Sequence, residues 1–530
     1  PRSTPAGAGS CGGRSVVLGP VALQVLISRL TGVAEEMGAV LRRAAYSPNI
    51  KERADCSAAL FTPGGELLVQ AEHIPVHLGS MPASVAAAIA SLGRDVRAGE
   101  HVILNDPFAG GTHLNDITVV TPCFVDASLV GWAANRAHHA DVGGMAPGSI
   151  PPEATEIQQE GLRIPPVGLT TEVRALLIAA SRTPEERVGD LDAQVGANVV
   201  GARRLAEIAA SGAPLREVLD YGERRMRAAL AEVPDGCFRF ADRLDSCGPR
   251  PEQQRPATIA VAVTVDGDEI TFDFTGTDAQ RPGNVNAVEA VTVSAVAFAV
   301  RSVTDPTIPP SGGALRPVHV IAPAGTIVAA RPPAAVGAGN VEVSQRVADV
   351  CLGALSQAAP DRVPAAGQGT MNNLILGGAG WVYYETIGGG QGGRPGGPGR
   401  PPRPGQSAMQ VGMTNTRNTP AEALERAYPL RVRRYAIRRG SGGAGLAPGG
   451  DGIERELEVL EDCTLSLITE RRVSRPWGLA GGEPGAVGEN WLLPAGDGSR
   501  AERLPDKCTV ALRAGDVVRI LTPGGGGWGR

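Results

Sequence analysis

Histidine and aspartate concentrate in one glycine-rich part of this chain. Residues 105–116 read NDPFAGGTHLND and residues 134–144 read ANRAHHADVGG. Of seven histidines in 530 residues, His113, His138 and His139 fall within 27 positions, beside Asp106, Asp116 and Asp141. Imidazole nitrogen and carboxylate oxygen are the donors that zinc, manganese and iron take. Glycine lets a backbone turn sharply and come close to a ligand. His113 and Asp116 stand three apart in a loop that enters the apolar run Ile117–Val120. His138 follows the next predicted strand, so a β-hairpin would return it beside His113, with His139 and Asp141 on the same arm. The plainer alternative is a set of hydrogen-bonded loop residues shaping a tight turn.

A further carboxylate is available from residues 51–57, KERADCS, where Glu52, Arg53 and Asp55 ordinarily read as a surface charge cluster. His73 and His77, in EHIPVHLGSM, read as packing or hydrogen-bonding histidines. Cys56 has only Arg53 nearby to favour a thiolate. The chain holds no GxxxxGK[ST] phosphate loop and no GxSxG elbow. Its glycine runs at 388–393 and 524–527 do not join a strand to a helix. Nucleotide chemistry is therefore expected on another polypeptide.

The elements that must position these groups come from periodicity. Leu23, Leu26, Leu30, Val33, Met37, Val40 and Leu41 predict a helix over 20–45, with Pro20 in its first turn. Short strands are predicted at 57–62, 67–70, 101–104, 117–124 and 129–134. Thr183-Pro184-Glu185-Glu186 predicts a helix start with a capping hydroxyl, and helix runs to about 231 with a break near 211–214. A period of two at 258–265 and 269–274, around Asp266-Gly267-Asp268, predicts a hairpin. Helices are predicted at 288–302 and 341–358. Residues 388–407 are low in complexity and read as a mobile loop, and the last hundred residues read as β-rich.

The expected class is α+β, multi-lobed, with mixed sheets, helices and a β-rich C-terminal lobe. The expected division is a tail or linker at 1–18, a metal-site lobe at 19–182, and a mixed lobe at 183–384. A loop at 385–407 and a β-rich lobe at 408–530 complete it. A net charge of -5 argues against a nucleic-acid partner. Only two of the 50 basic residues are lysines, Lys51 and Lys507, which we read as a composition bias. No apolar run is expected to reach the roughly 18 residues of a membrane helix, and the N-terminus lacks a signal-peptide pattern. Eight scattered cysteines without a CxxC pair read as reduced thiols of a cytoplasmic protein.

Several segments together resemble the hydantoinase B/oxoprolinase family. They are Tyr46–Arg53 (YSPNIKER), residues 73–79 (HIPVHLG), the 105–116 stretch, His138–Asp141, residues 159–166 (QEGLRIPP), residues 339–346 (GNVEVSQR), residues 413–420 (MTNTRNTP) and the terminal PGGGGWG. Residues 418–425 lean toward bacterial hydantoinase-type chains. Many relatives carry histidine where Gly412 stands. The resemblance implies a B subunit of an ATP-dependent cyclic amidase acting on a hydantoin, 5-oxoproline or a related lactam. It also implies a hydantoinase A-type ATPase partner, separate or fused, which holds ATP and Mg and phosphorylates the amide oxygen in a hetero-oligomer. By the same resemblance Asp55, His113, Asp116 and His138 would bind a divalent metal (Zn, Mn or Fe), with His139 and Asp141 behind them. Asp116, His139 and Asp141 are the candidate catalytic groups. An acetone- or acetophenone-type carboxylase subunit and a scaffold with a structural metal clip are the alternative functions.

Overall fold

The computed structural model describes residues 18–71, 74–93, 96–397 and 399–530. His73 and most of the expected 1–18 tail lie outside the described residues. Helix α1 (Pro20–Ala44) buries Leu23, Leu26, Leu30, Val33, Met37 and Leu41, the stripe predicted from spacing. A short turn of helix, α2 (Pro48–Lys51), leads into strands β1 (Cys56–Phe61) and β2 (Leu67–Ala71). After α3 (Ser80–Leu92) come β3 (Val102–Leu104), β4 (Asp116–Val125), β5 (Ser128–His138) and the two-residue β6 (Val167–Gly168). These strands form one antiparallel six-stranded sheet in the order β2-β1-β5-β4-β3-β6.

Helix α3 was not anticipated from the sequence. The stretch Pro75–Leu92 has a mean hydropathy of 1.2 over 18 residues, which corrects the expectation that no segment meets the length and composition of a membrane span. Half of it is buried in the protein, as in a core helix. Helix α4 (Thr171–Ala180) follows, also unanticipated, and then α5 (Pro184–Ala210) and α6 (Arg216–Leu230). The helix start at Pro184 has its proline and acids, but the Thr183 side chain makes no cap hydrogen bond. Its backbone N–H instead donates to Ser181 Oγ at 3.1 Å.

The predicted hairpin is β8 (Ala257–Asp266) and β9 (Glu269–Asp273), turning through Gly267 at φ +60°. With β7 (Gly236–Leu244) and β10 (Val318–Ile321) it makes a mixed sheet in which β10 pairs parallel to β9. Helix α7 (Glu289–Val303) and the short α8 (Gly312–Leu315) precede β10. The expected helix at 341–358 is a π-turn, Gly339–Val343, that runs into α9 (Ser344–Ala358).

The C-terminal part is β-rich, as expected. Strands β11 (Asn373–Gly378) and β12 (Trp381–Thr386), helix α10 (Ala421–Ala427), and strands β13 (Leu430–Arg438), β14 (Gly452–Val459) and β15 (Cys463–Ile468) come first. Strands β16 (Glu489–Leu493), β17 (Glu502–Leu504), β18 (Lys507–Leu512) and β19 (Val517–Leu521) close the chain. Two sheets result, β12-β11-β15-β18 and β13-β14-β19-β16-β17. Leu374, Leu465 and Leu467 of one share an apolar cluster with Leu457, Val518 and Ile520 of the other. The fold class is α+β.

The glycine-rich segments form neither helix nor strand, yet they interlock. Gly393 N–H donates to Gly526 O at 2.8 Å and Gly526 N–H to Ala366 O at 2.8 Å. Gly525 N–H donates to Gly450 O at 2.9 Å and Gly450 N–H to Gln391 O at 2.8 Å. A Cβ on Gly525 would overlap the Gln391 carbonyl oxygen, and one on Gly526 would overlap that of Trp477. Only glycine lets these backbones approach so closely. Residues 388–393, expected as the start of a mobile loop, are mostly buried in this lattice.

Candidate metal centre

Strand register builds the site. Strands β4 and β5 pair so that Asp116 stands opposite His138. His113 precedes β4 in a loop held by Asn105, whose amide donates to Leu114 O at 2.7 Å and whose oxygen accepts Ile164 N–H at 2.6 Å. Asp106 accepts Phe108 N–H at 3.0 Å, and Gly110 takes φ +95°. The loop delivers the His113 Nε2 to 3.0 Å from Asp116 Oδ1, and His138 Nδ1 lies 3.3 Å from the same oxygen. The two rings have centroids 5.0 Å apart. All three side chains are buried.

His113, Asp116 and His138 fit a divalent ion. Their donor atoms all lie within 4.8 Å of one another. Two donors about 2.0–2.1 Å from a shared tetrahedral ion stand about 3.3 Å apart, close to the separations seen here. His113 Nε2 is near Asp116 without hydrogen-bond geometry, and among the described residues His113 Nε2, His113 Nδ1 and His138 Nε2 have no hydrogen-bond partner. Buried polar nitrogens normally find one. Burial works to raise the Asp116 carboxyl, but His113 above all, with His138 and His77, outweighs it and holds the group well below its usual range. Burial lowers His138, only partly offset by Asp116 and Asp55, so its ring favours the neutral form a ligand needs.

A ring of further residues fixes the trio. Asp116 Oδ2 accepts Thr112 Oγ1 at 2.6 Å and Asn340 Nδ2 at 3.3 Å, and His77 Nε2 lies 3.5 Å away. Asn340 reaches Asp116 from the π-turn, a helical defect frequent at functional sites. Tyr384 of β12 stacks on His138 at 4.6 Å and donates to Asn373 Oδ1 at 2.9 Å. Asn49 of α2 holds the His138 carbonyl at 2.8 Å. His77 carried a partial signal in the HIPVH motif. Asn340 lies in the quoted segment 339–346, whereas Asn373 and Tyr384 carried no signal that local spacing could reveal, since they arrive from distant elements.

The remaining candidates go elsewhere. Asp55 meets His138 through its backbone, His138 N–H to Asp55 O at 3.1 Å, and its carboxylate is outside the converging trio. His139 follows β5 and turns away from His138, as successive strand residues do. Its Nε2 meets Gln194 Oε1 of α5 at 2.9 Å, and burial followed by the Arg187 charge lowers it to about 4. Asp141 is fully engaged: Oδ1 accepts Gly143 and Arg182 N–H at 3.1 and 2.9 Å, and Oδ2 accepts Gly148 N–H and Arg182 NH1 at 3.1 and 3.0 Å. It organises a loop, and both its oxygens and the His139 Nε2 are taken up by hydrogen bonds rather than turned to the trio. Arg53, expected at the surface, is wholly buried. Gly412 has φ +66°, and a Cβ there would overlap Gln345 Oε1.

The hydantoinase B/oxoprolinase profile matches residues 19–530. The chain belongs to that family. An uncharacterised protein of Methanocaldococcus jannaschii is 43% identical over 96% of this chain and 90% of its own length. The 5-oxoprolinase 1 of Arabidopsis thaliana is 38% identical over 96% of this chain, and the 5-oxoprolinase of Saccharomyces cerevisiae 36% over 98%. The chain spans about two fifths of these oxoprolinases, 42% of each. Among solved structures, an ATP-dependent caprolactamase from Pseudomonas jessenii superposes with a TM-score of 0.86 at 28% identity, over 97% of this chain and 91% of its own. A nucleotide-free acetone carboxylase also scores 0.86, over 96% of this chain and 76% of its own, at 18% identity, and shows the fold alone.

Proposed function

We propose that this chain is the ring-opening component of an ATP-dependent cyclic amide hydrolase. Its substrate would be a hydantoin, 5-oxoproline or a related lactam, activated by an ATPase component on a partner or fused chain that holds ATP and Mg. The observation that carries the reading is the buried His113–Asp116–His138 trio in a chain without a phosphate-binding loop. The oxoprolinase relatives and the caprolactamase likeness support the substrate class.

An amide resists attack because resonance feeds electron density to its carbonyl carbon. Phosphorylation of the oxygen removes that resonance and supplies a leaving group. A divalent ion bound by His113, Asp116 and His138 would contribute Lewis-acid chemistry and a nucleophilic water at neutral pH. Asp116 serves as ligand rather than base, because Thr112, Asn340 and His77 already surround its second oxygen. Asp55 is the acid left uncommitted: no hydrogen bond engages its carboxylate among the described residues, and its charge acts on both His138 and Tyr384. It would complete the ligand set or take the proton released by the attacking water.

The test is metal analysis by ICP-MS of the assembled complex, with ATP-coupled ring opening, for wild type, His113→Ala and His138→Ala. Loss of bound Zn, Mn or Fe together with loss of ring opening is expected. Full metal content and full turnover in both variants would refute the proposal.

A further inference from the structure

The segment 413–420 (MTNTRNTP) has no part in the reaction described above, yet it frames a cavity of about 360 Å3. Gln410, Asn415, Thr416, Arg417 and Asn418 supply its polar lining, and among the described residues no aspartate or glutamate lines it. Arg417 is exposed and forms none of the ion pairs found among the described residues. Its backbone N–H donates to Arg53 O at 2.9 Å, which ties the cavity rim to the element beneath.

That element bears a second cation. Arg53 is fully buried, with no carboxylate in ion-pair range among the described residues. Its guanidinium donates to Asn49 Oδ1 at 2.8 Å, to Thr386 Oγ1 at 2.8 Å and to the Tyr384 carbonyl, and lies 5.0 Å from the centre of the Tyr384 ring. Its Nε has no hydrogen-bond partner among the described residues. A buried charge with only neutral neighbours is costly, and a nearby anion lowers that cost. Only one layer of hydroxyls separates it from the cavity: Thr416, on the wall, contacts Thr386 Oγ1 at 2.6 Å and lies 3.5 Å from Arg53 NH2. On its other side Tyr384 stacks on His138. The cavity thus has Arg417 in its lining and Arg53 behind its Thr416 wall, with Tyr384 between Arg53 and His138.

We propose that this cavity docks a phosphate-type oxyanion, held by Arg417 and the neighbouring amides and hydroxyls, with Arg53 behind them. Guanidinium groups suit such anions because their planar N–H array matches phosphate oxygens. The inference rests on the reading that the amide arrives phosphorylated. The same chemistry is offered by the phosphoryl group of the activated substrate and by the inorganic phosphate it becomes.

The experiment uses the complete complex with its ATPase component and compares wild type, Arg417→Gln and Arg417→Lys. Inorganic phosphate is titrated calorimetrically without nucleotide, and KM and kcat for the cyclic amide are measured at saturating ATP. Arg417→Gln is expected to weaken phosphate binding or raise KM by about tenfold, with metal content and melting temperature unchanged and partial recovery in Arg417→Lys. A change in KM alone assigns the site to the phosphorylated substrate, and a change in phosphate affinity alone to the released ion. Unaltered phosphate affinity together with unaltered KM overturns the proposal. The phosphate titration needs no turnover, so it reads even if the ring-opening reading fails.

Discussion

His113 and His138 arrive from a loop and a strand end 25 positions apart, yet each places one ring nitrogen within 3.3 Å of a single oxygen of Asp116. The β4–β5 register is responsible, because it sets Asp116 directly across from His138. A slip of one residue would send His138 to the other face, where His139 now meets Gln194.

Asn340 tests whether the π-turn supports the centre. Its amide donates to Asp116 Oδ2, orienting the carboxylate. Partners that orient a metal ligand affect affinity by about 10–100-fold. Asn340→Ala is expected to weaken metal binding within that range in a competitive chelator titration, with the fold retained.

Asp141 separates a structural role from a catalytic one. Asp141→Ala leaves the Arg182 guanidinium and three backbone amides without their shared acceptor. Breaking a buried pair from one side costs about 3–5 kcal/mol. Arg182 is partly exposed, so the lower end of that range is expected by urea denaturation, with the metal content unchanged.

The glycine lattice predicts a steep packing penalty. Gly525→Ala would press a methyl group into the Gln391 carbonyl. Overpacking usually costs about 1–3 kcal/mol, and rigid backbone on the receiving side puts this site at the upper end or beyond. Differential scanning calorimetry should show a large fall in melting temperature or no folded protein.

Glu160 predicts a pH dependence. Burial pushes its carboxyl up to about 8, although it accepts Gly337 and Val336 N–H at 2.8 and 3.1 Å. An unfolded glutamate titrates near about 4.3, so between these values the folded protein holds the extra proton. The stability this group gives is complete below the unfolded value and is lost as pH rises through the folded one. Urea midpoints at pH 5, 7 and 9 should fall for wild type and fall less for Glu160→Gln.

The sequence by itself determined most of the local elements, α3 and α4 excepted, and the donors His113, Asp116 and His138. The apolar stripe of α1, the alternating β8–β9 hairpin and the apolar run that opens β4 are written in nearest-neighbour chemistry. The concentration of His and Asp around residues 113–141 marked the site for the same reason, since the loop and strand that carry it are contiguous. Local pattern could not separate His138 from His139, or show that Asp141 spends its oxygens on Arg182 and loop amides. Nor could it show that Asn340 and Tyr384, more than 200 residues away, close over the trio, or that Arg53 is buried. Those facts depend on which face a strand turns inward and on which distant backbone packs against it. Tertiary packing decides both, because burial and hydrogen-bond satisfaction are properties of the assembled interior.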